Sequence, residues 1–369
     1  MSIISSLFKD KISSYLGVDL GTGSLKVVEL ENVAGRARLV AYGLAEVETN
    51  VSRDDAKGSQ EEIAAIFKQL LTKAHIRSRA AVAALPNFSV FSSVISLPEL
   101  GPKELAEAIQ WEAKKFVPMP IENVVLDWKV LDSNKNKPAT ADKEEPAKVE
   151  AKGGKPMVRI LLTAAPKHLV ERYVNIFKLA GVNLLSLETE SFALGRSLVG
   201  NDPSPILIAD VGSLTTDLTV VEGGVPVLAR SIDVGGKTVT RAIAGSMGID
   251  SERAEQFKRD VGMGAALQAE SDGVGKMIAT SFAAVVNEMK YSLGLYQGQG
   301  KSKIEKILIT GGSAFLPSLP EFLTQSLGVK AYIANPWARV SYPKDLTEIL
   351  DQLGPRMATA VGLAMREIV

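Results

Sequence analysis

Two short stretches hold residue types that bind anions: Asp19-Leu20-Gly21-Thr22-Gly23-Ser24 and Asp210-Val211-Gly212-Ser213-Leu214-Thr215. Glycine lets a backbone approach an anion without a Cβ clash, and a tight turn converges N–H donors on phosphate oxygens. An apolar strand pattern precedes each stretch and another follows it, so each reads as a glycine-rich β-hairpin. The copies lie 191 residues apart, which predicts two similar domains facing each other. Two hairpins clasping one polyphosphate would bring Asp19 and Asp210 to a hydrated Mg²⁺ between them. A third glycine site, Gly311-Gly312-Ser313, follows a strand expected at Lys306–Thr310. Lys26 lacks the spacing of a P-loop lysine, and no G-x-G-x-x-G opens a helix, so P-loop and Rossmann nucleotide sites are disfavoured.

Composition narrows the field. The chain has 369 residues, too many for one ordinary core, so two or more subdomains are expected. Lys+Arg and Asp+Glu both number 42, so no global field favours nucleic acid or an anionic surface. There is no cysteine, which excludes disulfides, thiolate metal sites and cysteine nucleophiles. His75 and His168 are the only imidazoles, too few for histidine-rich ligation. Apolar runs fall short of the ~18 residues that span a bilayer. Ile3, Ile4, Leu7, Phe8 and Ile12 have helical spacing, which suits a short helix on the body or at a membrane surface, without the features of a secretion signal.

The elements that must position these turns follow from periodicity. Strands are expected at Arg38–Val47 and Ala80–Ala84, with an amphipathic helix over Gln60–Ala74. From residue 86 to 165 the pattern becomes a small inserted α+β subdomain. It has strands at Val90–Leu97, Val124–Leu131 and Val158–Ala164 and a helix opened by Pro102 carrying Leu105, Ala108, Ile109 and Phe116 on one stripe. Within it, residues 133–156 hold ten charged residues and one large aliphatic, Val149, and are expected to form a disordered loop. A helix is expected over Lys167–Ala180, ended by Gly181, then a strand at Val182–Glu188. A strand at Val227–Val234 and a Gly235–Gly236 turn lead into helices to about residue 300, the longest with Ile278, Phe282, Val285, Met289 and Leu293 on a stripe after a glycine-rich stretch at 262–275. The last helix is expected over Pro355–Ile368.

GVDLGTGSLK, ADVGSLTTDL and ITGGSAFLP, in this order, resemble the two phosphate loops and the adenosine loop of the actin-like ATPase superfamily. Within it the chain resembles the PilM family of type IV pilus assembly along nearly its whole length. AIQWEAKKFVPMPIENVVLDW, LLTAAPKHLVERYVNIFKLAGV, ETESFALGRSL, SIDVGGKTVTRAIA and ANPW carry that likeness. The resemblance implies an α/β actin-like fold: a first lobe at 1–85 and 166–200, the insert at 86–165, a second lobe at 201–235 and 302–369, and a small subdomain at 236–301. It implies ATP with Mg²⁺ between the lobes, held by Gly21, Thr22, Gly23 and Ser24 on one side and Gly212, Ser213, Leu214 and Thr215 on the other. Gly311, Gly312 and Ser313 would lie against the adenosine, Gly236 would also bind the nucleotide, and Asp19 and Asp210 would meet the metal through water. Lys26 and Lys237 are cationic candidates for phosphate, with surface solvation the alternative role for Lys237. Glu255 and Lys258, one turn apart, either meet the ribose or base or form a solvated surface pair. Glu190 either positions a hydrolytic water or caps the helix that follows it, so catalysis stays open.

The same resemblance implies a cytoplasmic scaffold peripheral to the inner membrane. It would take up the amino-terminal cytoplasmic peptide of PilN at the insert, with Ile109, Trp111, Phe116, Val117 and Pro118 offering apolar surface. Contact with the pilus motor ATPases and self-association fit that role, and nucleic acid does not. An FtsA-like division protein would end in a membrane-binding amphipathic helix, whereas the sequence ends at Arg366-Glu367-Ile368-Val369. A sugar kinase of the superfamily would need a carboxylate base against a sugar hydroxyl, and no motif supplies it. A nucleotide-free structural protein would use the glycine hairpins only as turns.

Overall fold

The computed structural model describes residues 14–47, 57–131, 156–264, 273–298 and 300–368. The amino-terminal apolar stretch, nearly all of the charged segment 133–156 and residues 265–272 of the glycine-rich stretch lie outside the described residues. The chain forms two compact units, Ser89–Glu171 and the remainder.

The larger unit opens with an antiparallel meander of β1 (Ser14–Leu20), β2 (Ser24–Val33) and β3 (Arg36–Glu46). Helix α1 (Lys57–Lys73) buries Ile63, Phe67, Leu70 and Leu71 from one face, as its spacing predicts, and leads to β4 (Ala80–Leu85), parallel to β1.

The smaller unit has its own core. It comprises β5 (Phe91–Pro98), α2 (Pro102–Phe116), β6 (Val124–Val130) and β7 (Met157–Pro166), with sheet order β5-β7-β6. Ile109 and Ala113 of α2, with Val117 just beyond it, pack with Ile95, Ile160 and Leu162. Phe116, expected on that buried stripe, is instead 47% exposed, and Val117 takes the inward position because the helix has ended and its backbone is extended there.

Helix α3 (Lys167–Ala180) begins at the end of the smaller unit, and its part in the larger unit stacks Phe177 edge-on against Phe67, with ring centroids 5.3 Å apart. It stops at Gly181, whose φ of +72° suits glycine. β8 (Asn183–Thr189) completes the first sheet, and α4 (Glu190–Leu194) runs into a π-helical turn over Gly195–Val199. β9 (Ile206–Val211), β10 (Thr216–Glu222) and β11 (Val225–Ile232) repeat the opening meander, and α5 (Gly236–Met247), α6 (Ser251–Val261) and α7 (Val274–Gln297) follow. The stripe from Ile278 to Tyr296 on α7 is buried against that second sheet. β12 (Lys306–Thr310), α8 (Leu319–Leu327) and β13 (Ala331–Ile333) finish the second sheet. β14 (Val340–Ser341) returns to the first sheet beside β3, and α9 (Thr347–Met365) closes the chain.

The two sheets share one plan. Their orders are β14-β3-β2-β1-β4-β8 and β11-β10-β9-β12-β13, so in each an antiparallel meander is extended by parallel strands from its first strand. The internal repeat seen in the sequence is thus a repeat of topology.

Helix α9 starts eight residues before its expected start at Pro355, which lies inside it. A proline in a helix interior lacks the N–H for the local ladder. Here the Pro355 carbonyl accepts from Thr310 Oγ1 at 2.6 Å and from the Gly311 N–H at 2.9 Å, tying the break in the helix to the end of β12.

Candidate functional site

A cavity of about 1110 Å³ opens in the larger unit, lined by both hairpin turns, the third glycine turn, the first turn of α5, one side of α6 and the middle of α9. From the first hairpin it takes Asp19, Gly21, Thr22, Gly23, Ser24 and Lys26; from the second, Asp210, Gly212, Ser213 and Thr215. Gly236, Glu255, Lys258, Gly311, Gly312, Ser313 and Glu190 line it too, whereas Leu214 does not.

The hairpin turns abut. A Cβ added at Gly23 would lie 2.9 Å from the Ser213 Cβ, so only glycine permits the first turn to meet the second this closely. Each turn is braced from within: Gly21 N–H donates to the Ser24 carbonyl at 3.1 Å, and Gly212 N–H to the Thr215 carbonyl at 2.9 Å. The first turn of α5 is fastened to the second hairpin, since the Gly236 and Lys237 N–H groups donate to the Gly212 and Ser213 carbonyls, both at 2.9 Å. Gly311 has φ +87°, and a Cβ there would meet Asp210 Oδ1 at 2.4 Å, so the third turn also depends on glycine.

The hairpins differ in charge at matching positions. In both, the aspartate stands opposite the residue seven places on: Asp19 faces Lys26, and Asp210 faces Asp217. The first pair is an ion pair at 2.7 Å. Burial alone would lower the Lys26 ammonium, but the charges of Asp19 and Asp210 and the hydrogen bond to Asp19 hold it above its ordinary value. The second pair sets like charges across a strand, which is destabilising. Burial first, then Asp217, pushes the Asp210 carboxyl up to about 7, with Lys26 opposing. Burial likewise raises Asp217 to about 6, although it accepts from Thr215 and Ser231. Glu190 is raised well above the carboxylate range by burial and by Asp217 and Asp19.

Glu190 begins α4, but its Oε2 accepts from the backbone N–H of Asn87 at 3.0 Å, far along the chain. Asn87 Oδ1 in turn accepts from Ser191 Oγ, which also shares a hydrogen bond of 2.8 Å with Thr219 of the second sheet. Glu255 and Lys258 are no solvated pair. Lys258 is buried and donates to Glu255 at 2.6 Å, Thr240 at 3.0 Å and the Gly236 carbonyl at 3.2 Å. Burial lowers the Lys258 ammonium, with Glu255 opposing.

Several lining residues lie outside those expected at the site. Phe315 presents an aromatic side chain, 45% exposed, just past the third glycine turn, and Arg356 and Thr359 come from α9. Asp217 was legible in principle, because the hairpin register alone places it opposite Asp210.

The four carboxyls suit a hydrated cation, since their mutual repulsion is what a positive charge relieves. Among the described residues, no group of three His, Asp or Glu side chains is arranged to ligate a metal directly.

The acid cluster gives a pH prediction for the ligand-free protein. Asp210 binds its proton more tightly folded, at about 7, than unfolded at ~4, so its contribution is full below pH 4 and fades as pH rises through 7. Asp210→Asn removes that loss. In denaturant titrations with chelator present, the variant should be more stable than the parent at pH 8, with the gap closing toward pH 5; a gap that widens toward acid reverses the assignment.

The sequence profile of the family described as "Type IV pilus assembly protein PilM" matches residues 17–368. The chain belongs to the PilM family. It is similar to the solved "PilM-PilN type IV pilus biogenesis complex", at 27% identity and TM-score 0.80, covering 96% of this chain and 98% of that one. At 17% identity and TM-score 0.53 it matches the ethanolamine utilization protein EutJ from Carboxydothermus hydrogenoformans, covering 95% of this chain and 89% of that one. MreB5 of Spiroplasma citri bound to AMPPNP matches at 13% identity and TM-score 0.51, with 95% of each chain covered. These two share the actin-like fold with this PilM family member. Among its described residues, no helix is long and apolar enough to cross a membrane.

Proposed function

We propose that this PilM family member is an ATP-binding, actin-like scaffold of the type IV pilus assembly platform, docked to the inner membrane through PilN and linking it to the cytoplasmic motors. The abutting hairpin turns carry the nucleotide half of this reading. In it, the N–H groups and hydroxyls of Thr22, Gly23, Ser24, Ser213 and Thr215 hold the phosphates. Phe315 and Gly311–Ser313 flank the base, and Glu255 with Lys258 faces the ribose. Asp19 and Asp210 hold Mg²⁺ through its waters, and the ion supplies charge neutralisation of the phosphates. The AMPPNP-bound MreB5 relative, of the same fold, supports this reading.

Glu190 suits a water-positioning role, because the Asn87 N–H fixes its carboxylate at the cleft. Catalysis remains secondary to lobe closure in this function.

The Ser89–Glu171 unit is the proposed seat of the PilN amino-terminal peptide, supported by the PilM–PilN relative. Ile109 and Val117 are buried and serve its core, so of the five residues expected to offer apolar surface only Trp111, at 63% exposure, Phe116 and Pro118 do so, alongside Val125, Trp128 and Met157 of the same unit. β5 and β6 are both edge strands to which an extended peptide can add.

The test is thermal. Mg²⁺·ATP at a hundred times its Kd should stabilise the protein by about 2.7 kcal/mol, read as a raised melting temperature. The PilN peptide should bind the parent and lose affinity in Trp111→Ala. Absence of any shift at millimolar Mg²⁺·ATP refutes the nucleotide half, and peptide binding unaltered by substitutions throughout Ser89–Glu171 refutes the other.

A further inference from the structure

Six cationic side chains line the cleft: Lys26, Lys237, Arg241, Lys258, Arg259 and Arg356. Four are already paired with carboxylates: Lys26 with Asp19, Lys258 and Arg259 with Glu255, and Arg356 with Glu46 at 2.5 Å. Lys237 and Arg241 have exposed side chains with no partner among the described residues. They stand four residues apart on α5, hence on one face of the helix. Glu252 lines the same cavity without a partner among the described residues, so the pair outweighs it in charge.

Their helix is fixed in place. Its first turn is bonded to the second hairpin through Gly236 and Lys237, and a Cβ at Gly236 would meet Ser313 Oγ at 2.7 Å. The start of α5 therefore lies between the second hairpin and the third glycine turn. In the nucleotide reading above, on which this inference rests, that is the stretch between the terminal phosphates and the adenosine.

We infer that Lys237 and Arg241 form a cationic subsite for the inner phosphates of the nucleotide, those that ATP and ADP share. The carboxyl cluster of Asp19, Asp210, Asp217 and Glu190 lies on the hairpins and their flanks and answers to a metal. The unpaired cations on α5 answer directly to phosphate oxygens. Charge-assisted hydrogen bonds from side chains already inside the cleft need no ion pair to be broken first.

The experiment measures the affinities of Mg²⁺·ATP, Mg²⁺·ADP and adenosine at low and high salt. It compares the parent, the double variant Lys237→Met with Arg241→Met, and the charge-preserving double variant Lys237→Arg with Arg241→Lys. The Met variant should bind ATP and ADP about tenfold more weakly, by similar factors, with a flatter salt dependence and unchanged adenosine affinity. The charge-preserving variant should stay within a few-fold of the parent, and both should melt like the parent without ligand. Unchanged ATP affinity and salt dependence in the Met variant overturn the inference, as does an equal loss for adenosine. A parent that binds no nucleotide overturns the functional reading itself.

Discussion

Replacing Gly17 or Gly362 by alanine should cost the larger unit roughly 3 kcal/mol or more, at the upper end of overpacking losses. A Cβ at Gly17 of β1 would sit 1.9 Å from the Ala360 carbonyl oxygen and 2.6 Å from Ala364 N, so α9 lies directly on the strand backbone. A Cβ at Gly362 would sit 1.9 Å from the Ala193 carbonyl oxygen, so α9 lies as close to α4 on another side. Backbone is the obstacle in both cases, and no rotamer change relieves it. Gly362 is the sharper test. In a helix interior, glycine to alanine normally gains up to ~1 kcal/mol, so propensity and packing predict opposite signs at one residue. Melting temperatures should fall by several degrees in either variant; a rise in Gly362→Ala would refute the close approach of α9 to α4.

Gly212→Asp should weaken Mg²⁺·ATP at least a hundredfold, the largest binding effect expected from one residue. Gly212 lines the cleft, and its N–H and carbonyl are both engaged, so the loop has little freedom to withdraw. A new carboxylate there joins Asp19, Asp210, Asp217 and Glu190, three of which already hold their protons unusually tightly. It would repel the phosphates it faces. Gly212→Ala separates shape from charge: its Cβ would lie 3.0 Å from the Thr215 carbonyl oxygen, a tight fit that should cost some stability but far less affinity. Parental ATP affinity in a folded Gly212→Asp protein would remove the second hairpin from the site.

The sequence made the hairpins visible because three constraints coincide in each: an apolar strand, an aspartate at its end, and glycines where backbone must crowd a neighbour. The helices α3 and α7 were legible for the ordinary reason that their apolar stripes have one period. What escaped has equally physical causes. Pro355 reads as a helix start from local rules, and only the acceptor role of its carbonyl toward Thr310 and Gly311, over forty residues away in the chain, shows why a helix runs through it. Phe116 keeps the helical phase of Ile109, but α2 ends there and the phase no longer governs direction. Arg356 and Thr359 enter the cleft by tertiary placement alone, whereas Phe315 lies within the ITGGSAFLP stretch and was within reach of the sequence. The Glu255–Lys258 pair is spaced like a solvated couple, and its burial follows from α5 packing over it, which no local pattern states.

Because Pro355, Arg356 and Thr359 help to wall the cleft, the binding chamber is finished only by residues made more than three hundred positions after the first hairpin. At 5–20 residues per second, the hairpin around Gly23 waits roughly 20 to 70 s for that wall to be synthesised. Nascent chains should therefore gain their nucleotide only after Thr359 has emerged, and one stalled before Pro355 should have an open-sided pocket.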